Sequence, residues 1–223
     1  MTDNLSVKVA VRVRPLVASE RDEGCDVVLN VDKKTNQVFS NSNNGRMFAF
    51  DHTFSQTSTQ EEIYTTCVQS LEERLFQGFN ATLLAYGQTG SGKTYTMGTS
   101  INDSTGVTQG IIPRTLKSIF NKIHQEKENG IAENILKVSF VEIHNEELRD
   151  LLIGTNDNDV HNSNNSSSLN QSESENSSQI SNHCKLKQMK LSIREDKNGT
   201  VYVAGLVEKD VPDEETFEKL LQY

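Results

Sequence analysis

Residues 7–13, VKVAVRV, set Val7, Val9, Val11 and Val13 between Lys8, Ala10 and Arg12. That period of two, with β-branched residues, predicts a strand, ended by Pro15. A second extended stretch, RMFAFDHTF, follows an Asn/Gly/Ser turn at 41–45. From Thr59 to Gln77 the period lengthens to that of a helix. Ile63, Cys67, Leu71 and Leu75 fall at i+4 steps, Val68 and Phe76 widen the stripe, and Thr59 with Glu62 makes a capping box. Gly78 ends it. Ala81–Tyr86 then predicts a short apolar strand that runs into a glycine-rich turn. Pro113 opens a further helix with Leu116, Ile119, Phe120 and Ile123 on one face. ILKVSFVEIH is apolar on both alternating faces, as a central strand covered on both sides would be. LSIRE, a DKNG turn and TVYVAGL predict a β-hairpin, after which Pro212 and Asp213 open a helix with Phe217, Leu220 and Leu221 inward. The sequence stops one or two turns into that helix, and the expectation is a domain cut short.

Composition changes this picture in one place. The 223 residues carry a formal charge of -9, but residues 154–183 hold 17 Asn plus Ser, four acids, no Lys or Arg, and only three aliphatic residues. Too little apolar surface is present there to offset ordering entropy, so a disordered loop insert is expected within an otherwise globular body. No apolar run approaches a membrane span, and MTDNLSVKVAVRVRP lacks the pattern of a secretory signal. Cys25, Cys67 and Cys184 stand far apart with no CxxC pair. They predict a reducing compartment and neither a disulfide framework nor a zinc site. The acidic balance argues against general nucleic-acid binding.

Residues 87–94, GQTGSGKT, match G-x-x-x-x-G-K-[ST]. Gly87, Gly90 and Gly92 let the backbone fold tightly, so that N–H groups of Gln88, Thr89 and Ser91 turn toward phosphate oxygens. Lys93 would reach the β- and γ-phosphates, and the Thr94 hydroxyl would ligate Mg²⁺. No guanine-reading N-K-x-D occurs, since Asn121-Lys122-Ile123-His124 lacks the acid, and no third glycine completes a dinucleotide fingerprint. The histidines form no ligand set.

Around this loop, Arg12-Val13-Arg14-Pro15, FAFDHTF followed by Gln60 and Tyr64, AYGQTGSGKTYTMG, GIIPR, and VSFVEIHNEELRDLL stand in an order and spacing that resemble the kinesin motor domain. The resemblance spans 6–153 and resumes at 186–223, leaving 154–183 as an insert in a partial motor domain. LAYGQTGSGKTYTMG and SIREDKNGTVYVAGLVEK look most like the chromokinesin group, the fourth kinesin family. The resemblance implies an α/β P-loop NTPase fold with a central, mostly parallel β-sheet and helices on both faces. It implies an ATPase that uses ATP and Mg²⁺ to move along microtubules in the full-length protein, and a cytoplasmic, cytoskeletal location. It also implies that Arg14 and Pro15 lie against the adenine, with Arg12 beside them and Tyr95 flanking from the other side. On its own, strand alternation reads Arg12 as an outward-facing charge.

In kinesins the loop that carries the insert, and the hairpin after it, face the microtubule. Residues 184–200 hold Lys185, Lys187, Lys190, Arg194 and Lys197 against Glu195 and Asp196, a local +3 that would attract an acidic polymer. His144 replaces the tyrosine usual in EIYNE, a change expected to affect local packing only. The serine/arginine-rich switch I and DLAGSE-type switch II patterns are missing, so catalytic residues stay unknown and hydrolysis by this chain alone is expected to be poor. Asp150 and Asp210 are the nearest candidates for a second Mg²⁺ anchor, and both fit surface positions better. Neither DNA nor membrane contact is expected of this segment, and dimerisation would need a coiled coil whose heptads are not in it. Two readings from other classes stay open: a non-catalytic microtubule-binding module, and a P-loop phosphotransferase acting on a small molecule.

Overall fold

A computed structural model of the chain describes residues 7–41, 45–98, 107–130, 134–153 and 191–221. The insert expected at 154–183 lies outside them, as does Cys184. The chain divides into two compact units, Met1–Ile131 and Ala132–Tyr223.

The first unit runs β1 (Ala10–Arg12), α1 (Ala18–Asp22), β2 (Leu29–Asp32), β3 (Gln37–Ser40), β4 (Met47–Ala49), β5 (His52–Phe54), α2 (Gln60–Cys67), α3 (Gln69–Leu75), α4 (Lys93–Met97) and α5 (Ile111–Glu128). The expected strand RMFAFDHTF is two strands that serve different sheets. β4 closes an antiparallel meander β2-β3-β4, whereas β5 pairs in parallel with β1, Val11 opposite Thr53. The division falls at Asp51, whose carboxylate Oδ2 accepts from Val9 N at 2.8 Å while its own N–H donates to Val9 O at 3.0 Å. These bonds turn the chain out of the meander and hook it onto the first strand.

The single helix expected over Thr59–Gln77 is also two. Thr59 caps it as predicted, its Oγ1 accepting from Glu62 N at 3.1 Å. The break falls at Val68, with φ -114° and ψ -40°. Ile63 and Val68 are both buried in one cluster with Phe54 and Ile111. On a straight helix, residues five apart point about 140° away from each other. Breaking the helix at Val68 lets both enter one core, and Leu75 and Phe76, predicted on the same stripe, are left exposed. α5 starts two residues earlier than predicted and keeps Pro113 in its first turn, where no N–H is required. Leu116 and Phe120 are buried beneath it, while Ile119 and Ile123 are partly covered. The end of α4 and the start of α5 meet through Gly98 and Gly110, where a Cβ on either would fall inside the backbone of the other.

The apolar run Ala81–Tyr86 joins no strand, and Leu84 and Tyr86 are 83% and 95% exposed. Apolar alternation establishes that a segment can enter a sheet. It becomes a strand only where a neighbouring backbone offers a ladder, and no described residue does so here.

The second unit contains β6 (Lys137–Val138), β7 (Val141–His144), β8 (Glu147–Asp150), β9 (Ser192–Glu195), β10 (Val201–Ala204), β11 (Lys209–Asp210) and α6 (Glu214–Leu221). ILKVSFVEIH is not one doubly covered strand. It divides into β6, paired with β11, and β7, which forms a hairpin with β8 about Asn145 and Glu146 at positive φ. Ile135 and Ile143 are 74% and 72% exposed. The hairpin β9–β10 forms as predicted, its turn held by Asp196 Oδ1 accepting from Asn198 N and Thr200 N, both at 2.8 Å. α6 also forms as predicted. Asp213 caps it by accepting from Thr216 N at 2.7 Å, and Phe217 and Leu220 are buried. The parallel component of the described strands is β1–β5, and the other ladders are antiparallel.

Asp210 is exposed beside Lys137 at 3.7 Å, as its surface reading required. Asp150 is not a surface residue. It is 6% exposed, with Oδ1 accepting from Leu152 N at 2.8 Å and Oδ2 from Val207 N at 2.7 Å. The two carboxylate oxygens therefore hold two backbone amides, one of them 57 residues further along the chain, a structural task. Asp150→Ala is expected to destabilise the chain by about 2 kcal/mol, because two inward amides lose a charged acceptor. Urea unfolding measures this, and a change below about 0.5 kcal/mol would show that the amides find water instead.

Candidate nucleotide-binding site

The residues 87–94 form a closed turn at the start of α4. Ser91 N donates to Gln88 O at 3.1 Å, and Gly92, at φ 98°, leads into Lys93 as the first helical residue. A Cβ at Gly87 would stand 2.5 Å from Ser91 Oγ, so the Ser91 hydroxyl would have to turn away. The Lys93 ammonium lies over the loop, donating to Gly87 O at 2.7 Å and Gln88 O at 2.9 Å. Thr94 and Thr89 are exposed. This fits a triphosphate: a tight backbone turn, the Lys93 cation over it and the exposed Thr94 at its end. Among the described residues no group of three or more His, Cys, Asp or Glu is placed to hold a metal. A Mg²⁺ site made of Thr94 and phosphate oxygens needs none.

The two arginines after the first strand converge on this loop. Arg14 Nε donates to Gly90 O at 2.8 Å, and its terminal nitrogens hold Glu20 of α1 in a two-pronged bond at 2.7 and 2.6 Å. The Gly90–Ser91 peptide is thus fixed at both ends, its oxygen by Arg14 and its N–H by the Gln88 carbonyl. Arg12 Nη1 donates to Gln60 Oε1 at 2.8 Å and Thr96 Oγ1 at 2.9 Å, and its guanidinium lies 5.0 Å from the Tyr95 ring centre. Partial burial lowers the Arg12 pKa from its ordinary value, while Tyr95 opposes that shift. The outward charge that alternation alone gave Arg12 is therefore wrong: the side chain is partly buried, and its Nη1 donates to two side chains. Pro15 is exposed beside Arg14. Arg12 and Tyr95 were expected on different sides of a base, yet they touch each other as one stack. A cleft of about 180 Å³, lined by Arg12, Tyr86, Ser91, Lys93 and Thr96 among others, adjoins the loop. It is smaller than ordinary ligand cavities, so a nucleotide would lie across the open loop.

The basic candidates in the second unit are only partly described. Arg194 is exposed on β9, its Nε donating to Ser192 Oγ at 3.2 Å, and Lys197 is exposed in the turn. Lys185, Lys187 and Lys190 lie outside the described residues. The described hairpin sets Glu195 and Asp196 against Arg194 and Lys197, so the local positive surplus rests entirely on those three lysines.

Two functional side chains escaped the sequence. Glu20 binds Arg14 across a turn whose first residue is Val17, not the Ser or Thr that flags a cap, although Val17 N still donates to Glu20 Oε2 at 2.9 Å. Gln60 carried a place in the motif order but no role. Its partners lie 35 and 48 residues away, beyond the reach of any periodicity.

The pattern of the family described as Kinesin motor domain matches residues 12–223. Kinesin-like protein KIF21B of Homo sapiens is 37% identical over 97% of this chain and 12% of its own length. Chromosome-associated kinesin KIF4 of Xenopus laevis is 38% identical, over 94% of this chain and 14% of its own. Kinesin-like protein KIN-4A of Arabidopsis thaliana is 41% identical, over 94% and 19%. A solved structure of a fast kinesin, described with its ATPase mechanism and interactions with microtubules, superposes with TM-score 0.73 at 30% identity. It covers 97% of this chain and 51% of that one. The chain thus spans under a fifth of these curated relatives and about half of the solved motor.

Glu20 offers a direct check on the loop's anchorage. The Arg14 side chain first, and the Val17 amide second, lower its pKa from the ordinary 4.5 to about 2. A depressed carboxylate favours the folded state above its unfolded pKa, so this contribution is complete above about 4.5 and is lost as pH falls towards about 2. In a carbon-detected NMR titration, Glu20 should titrate near about 2. Arg14→Gln should raise the midpoint partway back towards 4.5; an unmoved midpoint would mean that Arg14 is not its cause.

Proposed function

The chain belongs to the kinesin motor-domain family, and from that premise we propose that it is the nucleotide-binding part of an ATP-driven microtubule motor. The observation that carries this reading is the Gly87–Thr94 turn, with Lys93 over its carbonyls and Arg14 fixing its outer peptide. Lys93 would exchange its two carbonyl partners for β- and γ-phosphate oxygens, which offer a full negative charge in their place. Backbone amides of Gln88, Thr89, Gly90 and Gly92 would meet the remaining phosphate oxygens, whereas the Ser91 N–H, expected to face them too, donates to Gln88 O within the turn. Thr94 would help to hold Mg²⁺, which would neutralise phosphate charge. Arg12, Arg14, Pro15 and Tyr95 would form the side that meets the adenine.

Binding alone does not accelerate hydrolysis; groups that orient water and stabilise the transition state are needed as well. The 223 residues contain neither switch pattern, so slow turnover is proposed for this chain by itself. Microtubule contact is assigned to Lys185, Lys187, Lys190, Arg194 and Lys197, supported by their local charge. A cytoskeletal location and a place in the chromokinesin group follow as finer proposals. The group assignment draws on the run LAYGQTGSGKTYTMG and on the frog and Arabidopsis relatives.

Calorimetry with Mg·ATP tests the reading. The wild type should bind, and Lys93→Ala should weaken binding roughly 10- to 100-fold, the loss of charge-assisted bonds to phosphate. No binding by the wild type would contradict it. Cosedimentation with microtubules at two salt concentrations separates the competing class. Salt-sensitive binding that ignores nucleotide and survives Lys93→Ala would favour a non-catalytic microtubule-binding module. Fast ATP turnover abolished by Lys93→Ala would refute slow hydrolysis.

A further inference from the structure

Gln60 opens α2, is 2% exposed, and uses both ends of its side-chain amide. Its Oε1 accepts from Arg12 Nη1 at 2.8 Å. Its Nε2 donates to Tyr95 O at 2.6 Å and to Thr108 O at 3.2 Å. A flipped amide would set NH₂ against a guanidinium and oxygen against two carbonyls, so only one orientation satisfies the site. One buried side chain therefore grips the guanidinium of Arg12 and the backbone of Tyr95 at once, and these two groups are stacked on each other. Thr96 Oγ1 takes the same Arg12 nitrogen from α4. Gln60 makes no bond to the 87–94 turn itself among those described.

Arg12 covers one face of the Tyr95 ring, and Tyr95 remains 55% exposed. A cation on one face and an open surface on the other is an arrangement on which a planar purine stacks. A guanidinium on a four-bond stem samples many rotamers unless something holds it, and freezing it on ligand binding would cost affinity. Gln60 removes that cost in advance. We propose that Gln60 is a positioning residue for base recognition: it locks Arg12 and Tyr95 into a rigid platform for the purine of a nucleotide whose phosphates occupy the 87–94 turn. This rests on the ATP-binding reading above and adds to it the residue that sets the base side of the site.

The test compares Mg·ATP with Mg·tripolyphosphate, which has the phosphates and no base, by calorimetry on the full chain. Gln60→Met keeps length and volume and removes both hydrogen-bonding ends. It should weaken Mg·ATP about tenfold and leave Mg·tripolyphosphate unchanged within about twofold. In an Arg12→Met background the same change should cost little, because the group it positions has gone. Thr96→Val removes the other acceptor of that guanidinium and should show the same split with a smaller loss, about threefold. It supplies the test if circular dichroism shows Gln60→Met unfolded. An unchanged ATP affinity overturns the proposal, and so does an equal loss for both ligands, which would mark a general loosening of the fold. A wild type that binds neither ligand would overturn the ATP reading itself, an outcome distinct from both.

Discussion

Arg14 fastens the phosphate-binding turn to α1, and Arg12, two residues before it, ties the same end of β1 to α2 and to α4, the helix that follows the turn. Arg12 and Arg14 are two residues apart, so an extended backbone sends both side chains to the same side. From there Arg12 reaches Gln60 on α2 and Thr96 on α4, while Arg14 reaches Gly90 of the turn and Glu20 of α1. β1 itself is held in parallel register against β5, and Phe54 at the end of β5 enters the core with Ile63, Val68 and Ile111. A chain of contacts thus runs from the buried cluster through the sheet pair to a loop that is otherwise glycine and polar side chains. A tight turn built from glycines has much conformational freedom to lose, and Arg14 restricts it at Gly90 before any ligand arrives.

How much of this was legible depends on the range of each interaction. The phosphate turn could be read because its chemistry demands particular residue types at adjacent positions. Thr59 and Asp213 could be read as caps for the same reason, and so could the Asp196 turn of the hairpin. Where the decisive contact is remote, periodicity misled. The stripe from Ile63 to Phe76 predicted one helix, but the core wanted Ile63 and Val68 together, and the backbone broke to allow it. Ala81–Tyr86 and ILKVSFVEIH showed the composition of strands without showing what would pair with them. Gln60, Glu20 and Asp150 act through partners that no local pattern exposes, and the bland surface reading of Asp150 failed for that reason.

Charge is arranged differently in the two units. In the first, Arg12 and Arg14 are committed to named partners, and Lys93 keeps its charge on two carbonyls of the turn. In the second, the described hairpin is charge-balanced, so the proposed attraction for an acidic polymer rests on the charges of Lys185, Lys187 and Lys190 in the sequence.

Hydrogen–deuterium exchange with and without Mg·ATP tests directly that the turn and its two arginines make one site. New protection is expected for amides across residues 87–96 together with 12–14. Protection that skips the turn and falls instead along the α5 groove lined by Arg114, Lys117 and Lys122 would contradict it.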